Sequence, residues 1–218
     1  MPHALWPLYD LRVRTPRLEL RLPTEDDLAE LASVARAGLH APDEMPFAVP
    51  WTTLESPAFE WGFIRFHWRT RGMWEPEHWG LELGVFLDGV AIGAQGLYAG
   101  DFAHRRTVHS GSWLGPEYRR RGIGKEMRSA ILALAFDGLG AEVAETEAFA
   151  DNAASIGVSR AVGYEENGVG RMAPMGEPRD TIRFRLTRER WLRVRAERGL
   201  PQVEIDGLAA SLPLFGIG

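Results

Sequence analysis

The sequence runs to 218 residues, 45% of them hydrophobic, with no cysteine and a formal net charge of −5. That is enough apolar material for one compact core and too little for two, and without cysteine there is neither a disulfide nor a thiolate nucleophile. Basic residues are scattered apart from the run Arg119–Arg121, which argues against a general nucleic-acid binder, since that needs a wide basic face. The acidic balance suits a small cationic or amine-bearing substrate.

The first residues, MPHALWPLYDLRVRTPRL, hold no uninterrupted apolar segment, so a signal peptide is not expected. No stretch approaches the roughly 20 apolar residues of a spanning helix, so a soluble, cytoplasmic protein without a membrane partner is expected. Arg17 to Leu22 (RLELRL) alternates apolar and charged residues, as a half-buried strand does. Thr24 with Asp27 three positions on predicts a capping-box start to a helix through LAELASVARAGLH. Ala41 to Trp51 holds three prolines and is read as an irregular connector. Ser56-Pro57 predicts an N-cap and first turn for a helix through FEWGFIRFHWRT. Leu81 to Phe86 and Val90 to Tyr98 flank Asp88-Gly89, a hairpin signal. Thr107 to Leu114 (TVHSGSWL) is a strand with a bulge expected at Gly111.

A helix follows through IGKEMRSAILALAFDGLG, ended by Gly138 and Gly140. Ala141 to Ala148 reads as a strand, and Asp151 and Asn152 precede a short helix, AASIGVSRAV, closed by Gly163. Strands around Val169 to Met172 and Thr181 to Leu186 and a charged amphipathic helix, RERWLRVRAERG, complete a mixed α/β single domain over residues 1–199. Residues 200–218 are expected to be an extended tail that packs on the domain or on a neighbouring subunit, and the chain to form a homo-oligomer, a dimer or higher.

Tyr118 to Met127, YRRRGIGKEM, places arginines and two glycines at a helix start. Such a loop presents unpaired backbone N–H groups, lets an anion approach the glycines and adds the helix dipole, so a phosphate or pyrophosphate is its expected ligand. The Walker pattern is absent, and G-x-G-x-x-G fails at Met127. The pattern that fits is [Q/R]-x-x-G-x-[G/A], from Arg119 to Gly124. With TPRLELR, SGSWLGPEYRRRGIG and DNAASIGVSRAVGY, the chain resembles the GNAT acyltransferase superfamily in its RimJ/RimL branch of ribosomal-protein N-terminal acetyltransferases.

The resemblance implies a GNAT fold: a central, mostly antiparallel sheet with helices on both faces, splayed between the strands at Thr107–Leu114 and Ala141–Ala148. It implies a coenzyme A thioester donor with its pyrophosphate on Arg121, Gly122, Ile123 and Gly124, supported by Arg119. The pantetheine arm would lie in the gap, meeting free backbone near Trp113 and Leu114 and a hydrogen bond from Asn152. The implied reaction is direct attack by an amine on acetyl-CoA, with succinyl-CoA the alternative donor and a non-catalytic acyl-CoA-binding module the alternative class. The acceptor is a small-molecule or peptide amine.

The leaving thiolate needs stabilisation. The tyrosine many members use for this is Ser159 here, and the branch's substitute is Ser155; the bland alternative is a helix-start hydroxyl. For the base, the branch's strand glutamate is His109 here. Its imidazole accepts a proton at neutral pH, although it could equally be a packed sheet histidine. Glu147, on the neighbouring strand, competes for the role. Oxyanion donors are expected from backbone N–H groups near Gly111. The histidines show no paired metal spacing, so no metal is expected. Rings between Trp51 and Trp79 are expected at the acyl or acceptor pocket, with Arg65, Arg69 and Arg71 the cations a succinyl carboxylate would need.

Overall fold

A computed structural model describes residues 3–218. Strands β3 (His78–Leu87) and β4 (Val90–Gly100) form the central hairpin, turned by Asp88 and Gly89 at φ 52° and 82°. Two successive positive φ values match the twist of the flanking strands, which is why Asp-Gly serves there. The other strands are β1 (Arg12–Arg14), β2 (Leu18–Arg21), β5 (Thr107–Leu114), β6 (Val143–Phe149), β7 (Glu165–Met172), β8 (Arg179–Thr187) and β9 (Glu204–Asp206). They form one nine-stranded sheet in the order β7-β8-β6-β5-β4-β3-β2-β1-β9, antiparallel throughout except for β5 with β6. The helices are α1 (Glu25–Arg36), α2 (Ala58–Gly72), the single turn α3 (Phe102–Arg105), α4 (Ile123–Ala133), α5 (Ala153–Val162) and α6 (Arg188–Glu197).

Strand alternation divides the core between two faces. Leu81, Leu83, Val85 and Leu97 face α4, whose Ile123, Met127, Ala130, Ile131 and Leu134 are all buried. Phe136, in a π-helical turn that extends α4, stacks on the fully buried Trp191 of α6. The opposite face carries Phe86 and Ala91 against Leu28 and Leu31 of α1 and Phe63 of α2.

The Thr24–Asp27 capping box starts α1. At α2 the expected cap differs: Pro57 holds the N-cap position without a side-chain bond, and the Ser56 hydroxyl donates to Glu60 instead. After α6 the chain adds β9 to the free edge of β1 and ends in a 3-10 stretch, Ala209–Phe215. Phe215 is fully buried between Trp74 and Trp79, and Trp74 Nε1 donates to the Leu214 carbonyl at 2.7 Å. Among the described residues no helix is long and apolar enough to cross a membrane.

Candidate active site

Among the described residues the sheet holds one parallel pair, and it is short. β5 and β6 match at Thr107↔Val143, Val108↔Ala144 and His109↔Glu145 and then part. Beyond the vertex, the β5 backbone facing the gap is partly taken: Ser110 O accepts from Thr146 Oγ1 at 2.8 Å, and Leu114 O from Arg119 Nε at 3.2 Å. Backbone groups alternate in direction along a strand, so Ser112, midway between these two, turns its amide and carbonyl into the gap. This corrects the expectation for Trp113 and leaves Leu114 facing the gap with its amide alone to offer. The Trp113 carbonyl lies against β4, where it would collide with any Cβ on Gly93, and that of Leu114 is occupied. Arg128 reaches up from α4 across the floor, donating to Ser112 Oγ at 3.1 Å and Thr146 Oγ1 at 3.3 Å. It is buried, its Nε has no hydrogen-bond partner, and among the described residues it has no carboxylate partner. Burial pushes its guanidinium below the usual range.

At the end of β5 the chain passes Arg120 at φ 57° and Gly122 at φ 79°, and α4 begins at Ile123. No side chain caps this helix, so its first N–H groups stay free in a concave, anion-accepting backbone. Gly122 is needed for its left-handed conformation, which a β-branched residue resists. Gly124 serves differently: its Cβ would stand 3.4 Å from Val158, so its smallness lets α4 and α5 approach. Arg121 lies over the Tyr118 ring at 5.9 Å. Arg119, expected to support the phosphates, instead ties the loop down through the carbonyls of Leu114 and Leu39.

A cation that sequence reasoning missed stands in its place. Arg17, at the entry to β2, donates to the Arg121 carbonyl at 3.2 Å and lies 3.6 Å from where a Gly122 Cβ would be. It also pairs with Glu126, a buried carboxylate in the first turn of α4, which accepts further from Thr15 Oγ1 at 2.6 Å. The TPRL opening is therefore a strut for the glycine loop.

At the start of α5, Asn152 Oδ1 caps the helix by accepting from Ser155 N at 3.0 Å. The capping is thus done by Asn152, and among the described residues Ser155 Oγ takes part in no hydrogen bond. Ser159 is fully buried and bonds back to the Ser155 carbonyl at 3.0 Å, a structural role.

His109, Gly111 and Trp113 share the face opposite α4. His109 Nε2 lies 3.3 Å from Glu145 across the vertex. Glu147 is less available than expected: one oxygen accepts from Thr181 and lies 3.5 Å from Arg183 Nε, under Gly170. The bulge expected at Gly111 is absent, because β4 and β5 pair continuously from Gly93↔Leu114 to Tyr98↔His109. Gly111 instead opens a space: a Cβ there would meet nothing within 4 Å. Trp51 and Phe63 pack on Trp113 at ring-centre distances of 6.0 and 6.4 Å, giving that space an aromatic wall. The three α2 arginines do not line it. Arg71 is held by Pro23 O and Glu25, Arg65 by its own helix, and Arg69 is exposed.

Sequence reasoning also missed a buried carboxyl beside Gly111. Glu82 on β3, Gly96 on β4 and Gly111 on β5 lie in one row across the sheet. Glu82 hydrogen-bonds the Tyr98 hydroxyl, and both lie over Gly96, whose Cβ would be 2.5 Å from the Tyr98 oxygen and 2.8 Å from Glu82 Oε1. Burial alone pushes the Glu82 carboxyl up to about 8. A glutamate flanked by glycines on its own face, Gly80 and Gly84, was the available signal.

The family model for the acetyltransferase (GNAT) domain matches residues 17–165. Several solved structures carry the same fold. Mycobacterium smegmatis RimJ, in complex with CoA-disulfide, is 19% identical with a TM-score of 0.71, covering 90% of this chain and 98% of that one. A Vibrio cholerae structure described as a ribosomal-protein-serine acetyltransferase is 23% identical with a TM-score of 0.64, covering 81% and 97%. The microcin C7 self-immunity acetyltransferase MccE, in complex with acetyl-CoA and AMP, is 16% identical with a TM-score of 0.63, covering 79% and 93%.

Proposed function

Given that this chain belongs to the acetyltransferase (GNAT) family, whose members pass an acyl group from an acyl-CoA to an amine, we propose that it transfers acetyl from acetyl-CoA to a primary amine by direct attack. The observation that carries this reading is that β5, once it has parted from β6, leads through the glycine loop into the uncapped start of α4. A thioester arm and its pyrophosphate fit those two features together. In this reading Arg121, Gly122 and Ile123 hold the phosphates with Arg17, Ser112 pairs with the arm, and the free amide nitrogen of Asn152 donates to it. The Ser155 hydroxyl donates to the departing thiolate. Being far less acidic than a thiol, it lowers the charge there without surrendering its proton. The amine attacks from the open space over Gly111, between His109 and Trp113.

Acetyl is favoured because the wall of that space is aromatic and the α2 arginines are turned elsewhere. One observation supports a second reading with a carboxylate-bearing donor such as succinyl-CoA: Arg128, a buried cation without a carboxylate, crosses the floor of the gap. An unpaired charge is costly to bury and is offset by an anion. Thiol release from acetyl-CoA and succinyl-CoA, each with a panel of amines, tests both. A peptide N-terminus is the acceptor to try first, by analogy with the Vibrio protein named above. Coenzyme A binding without thiol release from any pair would leave a non-catalytic binding module.

A further inference from the structure

We propose that Glu82, positioned by Tyr98, is the general base of this site and takes the proton from the attacking ammonium, a role that neither His109 nor Glu147 fills. The inference rests on the acyl-transfer reading above and adds the proton acceptor.

Neighbouring strands lie about 4.8 Å apart, and Glu82 lies two strands from Gly111 in the same row. Its side chain reaches across the intervening strand, since Oε1 stands 2.8 Å from the vacant Cβ position of Gly96. That leaves the carboxyl about one strand spacing from Gly111, over which the space is open. An amine there has the Glu82 carboxyl on the β4 side and the donor gap on the β6 side. The glycines at 80, 96 and 111 are what allow this: at 80 and 96 a Cβ would meet the Tyr98 side chain, at 2.9 to 3.1 Å from its surroundings in the first case.

The competing groups are placed less well. His109 is two residues along β5, about 7 Å away, and is turned to Glu145 across the vertex. Glu147 already carries Thr181 and Arg183. The groups around Glu82 do not neutralise it. From β4 it meets only the Tyr98 hydroxyl, and His109 on β5 shares Tyr98's row. From α2, which packs on β3, the inward titratable group is His67, held neutral because burial pushes it down to about 4. Arg71 is bound to Pro23 and Glu25. With no cation beside it the carboxyl remains basic, raised to about 8 by burial.

The Glu82 carboxylate takes one proton from the substrate ammonium. The freed nitrogen lone pair forms the C–N bond at the thioester carbonyl while the C=O pair moves to oxygen. Collapse restores C=O and breaks C–S. The second nitrogen proton passes to the thiolate sulfur, giving amide and free thiol, and Glu82 returns its proton to solvent.

The test compares the native protein, Glu82→Gln, Tyr98→Phe and His109→Ala. Thiol release from acetyl-CoA is measured across pH with a strongly basic primary alkylamine and with hydroxylamine, which is already unprotonated at neutral pH. Coenzyme A binding is measured by calorimetry and folding by thermal melt. Loss of a positioned base typically costs about 10²–10⁴-fold, and Glu82→Gln should lose that much kcat with the alkylamine, much less with hydroxylamine, and bind coenzyme A normally. Its alkaline inflection should vanish. Tyr98→Phe removes a donor to the carboxylate and should move the inflection upward. Equal losses with both amines, a retained inflection, or activity within a few-fold of native in Glu82→Gln would overturn the proposal. So would transfer of the whole effect to His109→Ala. A native protein that binds coenzyme A yet releases thiol with neither amine would remove the acyl-transfer reading itself, and the base with it.

Discussion

Glu82 can be examined through folding alone, without any substrate. Its carboxyl is raised from 4.5 to about 8, with desolvation the cause. In the unfolded chain it loses its proton near 4.5, while the native protein holds that proton up to about 8. Between those values the native state binds more protons, so stability is present in full below the lower value and falls as pH rises towards the higher one. Each pH unit is worth about 1.4 kcal/mol, so about 3 kcal/mol is lost between pH 5 and pH 7 and about 5 kcal/mol in all. Glu82→Gln keeps the shape and the Tyr98 contact but cannot ionise. Its stability relative to native should therefore increase by about 3 kcal/mol from pH 5 to pH 7, a widening of about 6–12 °C in Tm for a chain of this size. Thermal melts or urea titrations of both proteins at matched pH measure the difference, in which the other titrating groups cancel. A difference that stays flat from pH 5 to pH 9 would show that the carboxyl ionises normally and would refute the reasoning.

Other consequences can be checked on purified variants. Arg17→Ala removes the cation beside the loop and leaves Glu126 unpaired there, so the Kd for coenzyme A should rise about tenfold or more, each ~1.4 kcal/mol being tenfold. Adding Glu126→Gln should restore part of the loss, which calorimetry on the double variant would detect. Gly122→Val forces a β-branched residue to φ 79° and should abolish coenzyme A binding, read by the same titration. Gly96→Ala would displace Tyr98 and Glu82 and should lower kcat while leaving donor affinity intact, measured by steady-state kinetics beside calorimetry. Ser155→Ala should lower kcat with little change in coenzyme A affinity, because a hydrogen bond to the departing thiolate forms only as the reaction proceeds.

Much of the fold was legible because its signals are local. The Asp88-Gly89 turn, the Thr24–Asp27 box and the arginine–glycine loop each specify backbone within a few residues, and each lies where the pattern put it. Three-residue strands such as β1 and β9 are too short for a period of two to register, and they are defined by pairing: β1 with β2 and β9, and β9 with β1. The candidate site was harder for the same reason. Which backbone groups face the gap depends on register: β5 turns Ser112 and the Leu114 amide into it and Trp113 towards β4. That Arg17 and not Arg119 stands beside the glycine loop depends on partners distant in sequence, Glu126 for Arg17 and Leu39 for Arg119. Glu82 escaped notice since its strand reads as ordinary alternation. What distinguishes it is the pair of glycines two strands wide beside it, a feature of the sheet and not of any one segment.

The two faces of the sheet thereby carry opposite electrostatic tasks. On the α4 face lie Arg128, the uncapped helix start and Arg17, which in the proposed reading meet an anionic donor and its thiolate. On the α1 and α2 face lie Glu82, His109 and Glu145, the acceptors that the proposed reading offers to a cationic amine. The open wedge between β5 and β6 is where the faces communicate, and Thr146 and Arg128 set its width from below through Ser110 and Ser112. A thioester carbonyl held in that wedge is reached by the nucleophile from one side and loses its leaving group towards the other. Charge therefore moves through the sheet from an acceptor-rich side to a donor-rich one. In this reading the base and the phosphate-holding cations lie on opposite faces of the sheet, and Coulomb attraction between them falls with that distance.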